Sequence, residues 1–538
     1  MLRAVSSGLD ITFRLLAKTD NESAVAVLLS ALDSPYVGIQ DAAFESILRR
    51  RNLAAHREIL RRVPTIGHRW RLIINRHRGH LIHAMREAVL GNDPQMCYNA
   101  CQVAIWTADC ELIPALLVCL ETSQGSKADL AVETLMTLVE QLWQELAQSD
   151  RTQRRDPEAV RRYVLEHLEA SVSRFGRHKR REVIEAFLML ASRENALLRR
   201  ILENPYHGSF LVVVDVLSKS PHPAIMQLLV SFMEDSAAPS AAISIAANRS
   251  DMAFIRQLLR CIGDELSPAM LQNLRRIETV AWLKTGATVL GQLDEQTQQA
   301  AVRLITAASL PRSVALGAIE YLLLHGKPAA RRDAAKALAN FSGTEANALC
   351  LRALDDPDPQ VQANLVGQLR SRGIPGVLPR LVEKLDSPHA VVRHAAREGL
   401  QEFSIKRFLG AFDVLDEQVR QATGKLIKRI DPKTIPTLRE ELQSSVRTRR
   451  LRALAAARCI EAVEQLEQQI VQLLSDSDHM VRAEAAAVLA QCKTQASRDA
   501  LEAALHDRNE VVQDAARQSL QARGEFEKWR QVLADPRD

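Results

Sequence analysis

The sequence predicts an all-α fold, a right-handed α-solenoid of stacked helical hairpins, and three observations predict it. Aromatic residues make only 4% of the 538-residue chain although 47% of it is hydrophobic. Its 21 glycines and 20 prolines fall below the ~12% typical of proteins. Few turn-formers and few aromatics, in a chain rich in Ala, Leu, Arg, Glu and Gln, disfavour a sandwich or barrel and favour helix. The third observation is internal self-similarity in the C-terminal third, at a period of about 31 residues.

The segment LDSPHAVVRHAAREGL (385–400) has partners in 354–369, 474–489 and 505–520. With the central valine as origin, the position is filled by Ala330, Val361, Val392, Val419, Val446, Val481 and Val512, at intervals of 31, 31, 27, 27, 35 and 31. Eight residues on stand Leu338, Leu369, Leu400, Ile427, Leu454, Leu489 and Leu520. Positions 0, +4 and +8 share one face of a 3.6-residue helix, so Val361 and Leu369, Val392 and Leu400, Val481 and Leu489, and Val512 and Leu520 mark the repeat core. Paired alanines such as Ala395 and Ala396 let a neighbouring helix approach closely. Ser387-Pro388 reads as an N-cap followed by proline at the first helical position. A second helix fits Val377–Leu385. Each hairpin is too small to bury its own apolar face, and stacking buries those faces in a continuous core.

This pattern, L-x-D-x-x-x-x-V-R-x-A-A-x-x-x-x-L, resembles the HEAT repeats, in particular the short repeats of phycobilisome-lyase-type proteins. The resemblance implies that the arginine after the origin (Arg331, Arg393, Arg420, Arg447, Arg482) pairs with an aspartate in the loop of an adjacent repeat and is structural. It is strongest over 323–520. LDSPYVGIQDAAFESI (32–47) fits with Ile39 and Ile47, and LGNDPQMCYNACQVAI (90–105) with Cys97 and Ile105. The middle is degenerate, although Thr297, Ala301 and Ile305 keep the offsets. The copy at Val446 departs most, since Arg449 and Arg450 replace the alanine pair, and its register is open to a shift. About 14–16 hairpins would fill the chain.

The organisation expected is an N-terminal array (1–146), a charged loop (147–160), a degenerate middle array (161–322), a regular C-terminal array (323–525) and a capping tail (526–538). No apolar run approaches the ~18 residues of a membrane span, the N-terminal stretch is broken by Asp10 and Arg14, and eight cysteines are sparse. A reduced, cytoplasmic protein is expected.

Charge is distributed unequally. Residues 49–83 hold ten arginines (Arg49, Arg50, Arg51, Arg57, Arg61, Arg62, Arg69, Arg71, Arg76 and Arg78) against one acid, Glu58, together with five of the 14 histidines and Trp70. Arginine suits planar contact with phosphate or carboxylate. The Arg49–Arg78 segment with Trp70 is therefore the candidate binding site for nucleic acid, an acidic protein segment or an anionic surface. The competing reading is a solvated face paired with acids of adjacent repeats, which the single interleaved aromatic favours. A second window (154–182) has mixed signs and reads as a solvated face.

Cys97 and Cys101, with Cys110, Cys119, His77, His80 and His83 nearby, match no familiar zinc spacing, and the first two fall on core positions. Di-iron hydroxylases built on HEAT-like repeats use His-Glu pairs, which this chain lacks; the equivalent place reads His394-Ala395. No P-loop, G-x-S-x-G or G-x-G-x-x-G motif occurs. In NLRRIETVAWLK (273–284), Leu274, Ile277 and Trp282 read as one inward-facing helix. No catalytic residue, metal or cofactor is assigned. The function expected is a non-catalytic interaction scaffold that holds a partner protein or peptide, with polyanion binding through 49–78 second and a lyase-like accessory role third.

Overall fold

The computed structural model describes residues 2–148 and 156–524. Among these residues it holds 34 α-helices, seven short 3-10 turns and no β-strand. The chain packs as two units, Met1–Tyr321 and Leu322–Asp538. Each is an array of helical hairpins in which successive helices of like position lie against one another.

The first unit opens with α1 (Leu2–Lys18), α2 (Ser23–Ala31), α3 (Val37–Arg49), α4 (Leu53–Arg61), α5 (His68–Arg76), α6 (Ile82–Leu90), α7 (Pro94–Thr107), α8 (Ile113–Thr122) and α9 (Ser126–Gln148). The expected loop over 147–160 is shorter at both ends: Ala147 and Gln148 close α9, and Asp156 caps helix Pro157–Ser173 through the Glu158 amide. Residues 149–155 lie outside the described residues, as do 525–538, on which the capping tail was expected. Helices on either side of 149–155 pack directly: α9 on Arg181–Leu190, and α8 on Pro157–Ser173. The degenerate middle keeps the same hairpin packing, and Thr297, Ala301 and Ile305 are all buried in Glu295–Ala307. The 273–284 segment is not one helix. Leu274 ends Pro268–Leu274 and Trp282 sits in a 3-10 turn, but Leu274, Ile277 and Trp282 are each buried.

In the second unit the origin is the third residue of its helix in Pro328–Ala337, Pro359–Leu369, Ala390–Gly399, His479–Leu489 and Glu510–Ala522. Val361, Val392, Val481 and Val512, and Leu369, Leu400, Leu489 and Leu520 eight residues on, are fully buried. Asp358 caps Pro359–Leu369 by accepting from the Gln360 amide at 2.8 Å, with Pro359 at the first helical position. Ser387-Pro388 does not repeat that arrangement. Helix Ala390–Gly399 starts later, with His389 at its N-cap and no side-chain cap.

The Val446 copy is out of register. Val446 is an exposed N-cap residue of helix Arg447–Cys459, and Arg449 is the third residue. Ala453 and Ala457, four and eight residues beyond Arg449, are fully buried. The uneven intervals then become 30 residues from Val419 to Arg449 and 32 from Arg449 to Val481. An ion pair fixes the shift. Arg450 Nε lies 2.9 Å from Asp476 Oδ2, in the place that Arg482 holds against Asp507 at 2.8 Å. Val419 is also exposed, although Ile427 is buried as expected.

Candidate functional site

The arginines implied as structural by the repeat pattern divide into two groups. Arg331 lies 3.1 Å from Asp356, Arg447 3.1 Å from Asp478, and Arg482 donates to both Asp507 oxygens at 2.8 and 2.9 Å. Arg393 and Arg420 make no such pair. Arg393 donates to the Ser387 and Pro388 carbonyls, and Arg420 donates to the Asp413 carbonyl and lies over the Phe412 ring.

The arginine-rich segment runs from the end of α3 to just beyond α5, and five of its ten arginines meet a carboxylate. Arg49 pairs with Glu45 at 2.5 Å within α3. Arg57 of α4 holds Glu87 of α6. Arg61 lies 3.2 Å from Glu58. Arg62 grips Asp33 with two donors, at 2.7 and 3.2 Å, and keeps that carboxyl below its ordinary pKa through the hydrogen bond. Arg69 Nε lies 2.9 Å from Asp41 Oδ1, which accepts from Trp70 Nε1 at 3.0 Å. Trp70 stacks on Phe44 with ring centroids 4.5 Å apart, so it is a packing residue of α3 and α5.

Arg50 is only 8% exposed. It donates to the carbonyls of Leu16, Thr19 and Asn21 at 2.6–2.7 Å, satisfying acceptors left open at the end of α1. Arg71 lies 4.0 Å over the Trp106 ring of α7. Arg51, Arg76 and Arg78 have neither a carboxylate, a carbonyl nor a ring partner among the described residues: Arg51 and Arg76 are exposed, and Arg78 is half-buried with a buried Nε that makes no hydrogen bond. In the second basic window Arg161, Arg174 and Arg181 pair with Glu158, Glu121 and Asp215, and Arg180 donates to the Leu120 and Ser123 carbonyls.

Of the histidines and cysteines nearby, His56 and the four cysteines are buried, His77 is half-buried, and His68, His80 and His83 are exposed. His56 is buried, lies 3.1 Å from the Ile47 carbonyl and has its pKa lowered by desolvation. His77 lies 3.2 Å from Glu45, and His80 2.8 Å from the Leu48 carbonyl. Cys97 and Cys101 are buried on α7, with the Cys97 thiol lowered to about 7 by its hydrogen bond with Cys101, whose own thiol is raised.

One feature of the second unit escapes the repeat pattern altogether. Its second helices stack closely on one another except between Ala390–Gly399 and Glu417–Ile430. The buried apolar cluster that runs to Leu520 begins at Ile405 and does not include Ala396 or Leu400. The seam holds a cavity of about 490 Å³, lined by residues of 394–406 and 430–437. An Asp386–Arg429 ion pair crosses from one side to the other. The local signal was the exposed Val419 at one of the shortest repeat intervals, but exposure cannot be read from a sequence.

With this geometry in place, comparison with known proteins gives the class. The family model for HEAT repeats matches residues 315–401 and 435–521, and the chain carries HEAT repeats over those stretches. No curated protein matches the chain. Among solved structures it is similar to a chain from a study of the interaction between cadherin and beta-catenin, at 14% identity over 93% of this chain and 99% of that one, with a TM-score of 0.38. It is also similar to importin beta, at 13% identity over 97% and 82% with a TM-score of 0.24. A third similarity is to Kap121p, at 13% identity over 96% of this chain and 53% of that one, with a TM-score of 0.23. No helix among the described residues is long and apolar enough to cross a membrane.

Proposed function

We propose that the protein is a non-catalytic interaction scaffold whose second-helix surface holds a partner protein or peptide. The observation that supports this reading is a row of exposed apolar side chains in the second unit. Val391, Val419, Val446, Met480 and Val511 stand at or beside the first turn of five successive second helices and are all solvent-exposed. Stacked helices lie about 10 Å apart, so Val419, Val446, Met480 and Val511, repeated at the same end of each, make an apolar edge that a single partner can follow, with Val391 across the seam. Contact area on such an array grows with repeat number. The experiment is affinity capture from lysate with the full chain, with and without nuclease. Recovery of a defined protein that is insensitive to nuclease and lost in a Val391→Asp/Met480→Asp/Val511→Asp variant supports the scaffold. A partner retained by that variant rules out this edge.

A second reading, polyanion binding through the segment 49–78, is supported by Arg51, Arg76 and Arg78, which have no carboxylate, carbonyl or ring partner among the described residues. It predicts heparin retention that weakens steeply with salt and that falls on changing Arg51 and Arg76 to Glu. Retention unchanged by that substitution ends it.

A further inference from the structure

We propose that the seam between Ala390–Gly399 and Glu417–Ile430 is an anchor site for an acidic peptide segment that carries a large apolar side chain. The inference rests on the scaffold reading and gives its partner a chemistry.

The seam is open because the two second helices that should close it barely touch, and the buried cluster of the later repeats begins only at Ile405. What it exposes has two characters. Phe403, Ile405, Ile430 and Pro432 supply apolar wall. Three cations, Arg397, Lys406 and Lys433, line the same cavity, are exposed, and form no ion pair or hydrogen bond with a carboxylate among the described residues. Two carboxylates share the rim: Glu398 lies 3.5 Å from His394, and Asp431 accepts the Ile405 amide at 3.0 Å and the Lys433 amide at 2.9 Å. Three cations against two carboxylates leave the lining with a net charge of +1.

A further polar group faces no partner. Thr437 lines the cavity, is only 8% exposed, and its hydroxyl makes no hydrogen bond with any described residue. This hydroxyl is available to a carbonyl or amide of an incoming chain.

A volume of about 490 Å³ lies within the range of ligand sites, which are mostly apolar with a few placed polar groups. An apolar side chain fills the wall and excludes water, while flanking carboxylates meet the cations and orient the segment. A nucleic-acid backbone would satisfy the cations but leave the apolar wall uncovered, and Phe403 is the one aromatic lining it. Charge complementarity together with the apolar lining thus favours the peptide.

The test uses the full chain and fluorescence polarisation. The probes are a labelled acidic hexapeptide with a central Leu-Phe pair, its Asn/Gln counterpart, the acidic peptide with Ser-Ser at the centre, and a labelled oligouridylate. The acidic Leu-Phe peptide is expected to bind, and each altered peptide to bind about tenfold more weakly or worse. A Lys406→Glu/Lys433→Glu variant, whose changes lie on exposed side chains, is expected to lose about tenfold in affinity with an unchanged thermal melt. Ile430→Glu serves as a second variant aimed at the apolar wall. Equal binding of the Ser-Ser peptide, preference for the oligouridylate, no binding of the acidic peptide, or affinity untouched by the double substitution overturns the proposal. Protein capture from lysate that persists in the double variant leaves the scaffold standing while removing this site; capture that fails in the unmodified chain removes the scaffold itself.

Discussion

Arg482 donates from Nε and Nη2 to the two oxygens of Asp507, at 2.8 and 2.9 Å, and from Nη1 to the Asp476 carbonyl at 2.9 Å. One guanidinium therefore ties the loop before its own helix to the loop of the following repeat. It does so while only 4% exposed.

Because the pair is buried, removing one member leaves an uncompensated charge. Arg482→Ala is expected to cost the second unit about 3 kcal/mol, seen as a lower urea midpoint. The Arg482 hydrogen bond holds the Asp507 carboxyl below its ordinary value of 3.8. A depressed folded pKa means that the ionised group contributes fully above pH 3.8 and that its contribution is lost as pH falls from there through the folded value. Asp507→Asn should flatten the stability profile below about pH 4; a profile parallel to that of the unmodified chain would show that Asp507 does not contribute.

The register shift at Arg447–Cys459 makes a prediction of opposite sign. Val446 occupies the N-cap with φ −89° and ψ 117°, close to the geometry of capped helices, yet has no side chain able to accept. Val446→Asp is expected to stabilise by about 1 kcal/mol, measured by thermal melting. Were Val446 a core residue, as the uniform valine column would have it, the same change would be strongly destabilising.

Two helical glycines separate packing from propensity. A Cβ on Gly424 would stand 3.0 Å from Ile460 Cγ1 and 3.2 Å from the Cys459 carbonyl oxygen, where helix Glu417–Ile430 meets helix Arg447–Cys459 and its end. Gly424→Ala is expected to cost about 1–2 kcal/mol through overpacking. Gly367, also helical, has nothing within 4 Å of its Cβ direction, so Gly367→Ala should stabilise by about 0.5–1 kcal/mol. Equal effects at the two sites would contradict the close approach at Gly424.

Burial lowers the pKa of His56, with His80 adding a small repulsion, against hydrogen bonding to the Ile47 and Leu48 carbonyls that favours the charged form. A histidine depressed in the folded state binds its proton more readily when unfolded. The first unit should therefore lose stability as pH falls below about 6.5. His56→Gln, which keeps an N–H donor without titrating, should reduce the loss between pH 7 and pH 5 in thermal melts.

The helical class, the hairpin repeat and the core positions at Val361, Val392, Val481 and Val512 were legible in the sequence. A 3.6-residue period and a 31-residue return are properties of the chain itself. The fate of the arginine-rich segment was not. Its excess charge was a count over neighbours in sequence, whereas Arg62 meets Asp33, and Trp70 meets Asp41, 29 residues back across the hairpin stack. Among the described residues Arg57, Arg62 and Arg69 meet acids of a neighbouring hairpin, Arg49 and Arg61 meet acids of their own helix, and the other five meet no carboxylate.

What the sequence determined by itself is therefore periodic and local: which residues are helical, which face turns inward, and where a proline or aspartate opens a helix. What tertiary structure decided is everything that depends on which repeat lies against which. Stacking chose the acids that neutralise the arginines, moved the Arg447–Cys459 helix three residues out of register, and left one pair of second helices apart. The physical reason is that charge pairing and burial are set by distances in space, and a stack of hairpins makes near neighbours of residues some thirty positions apart.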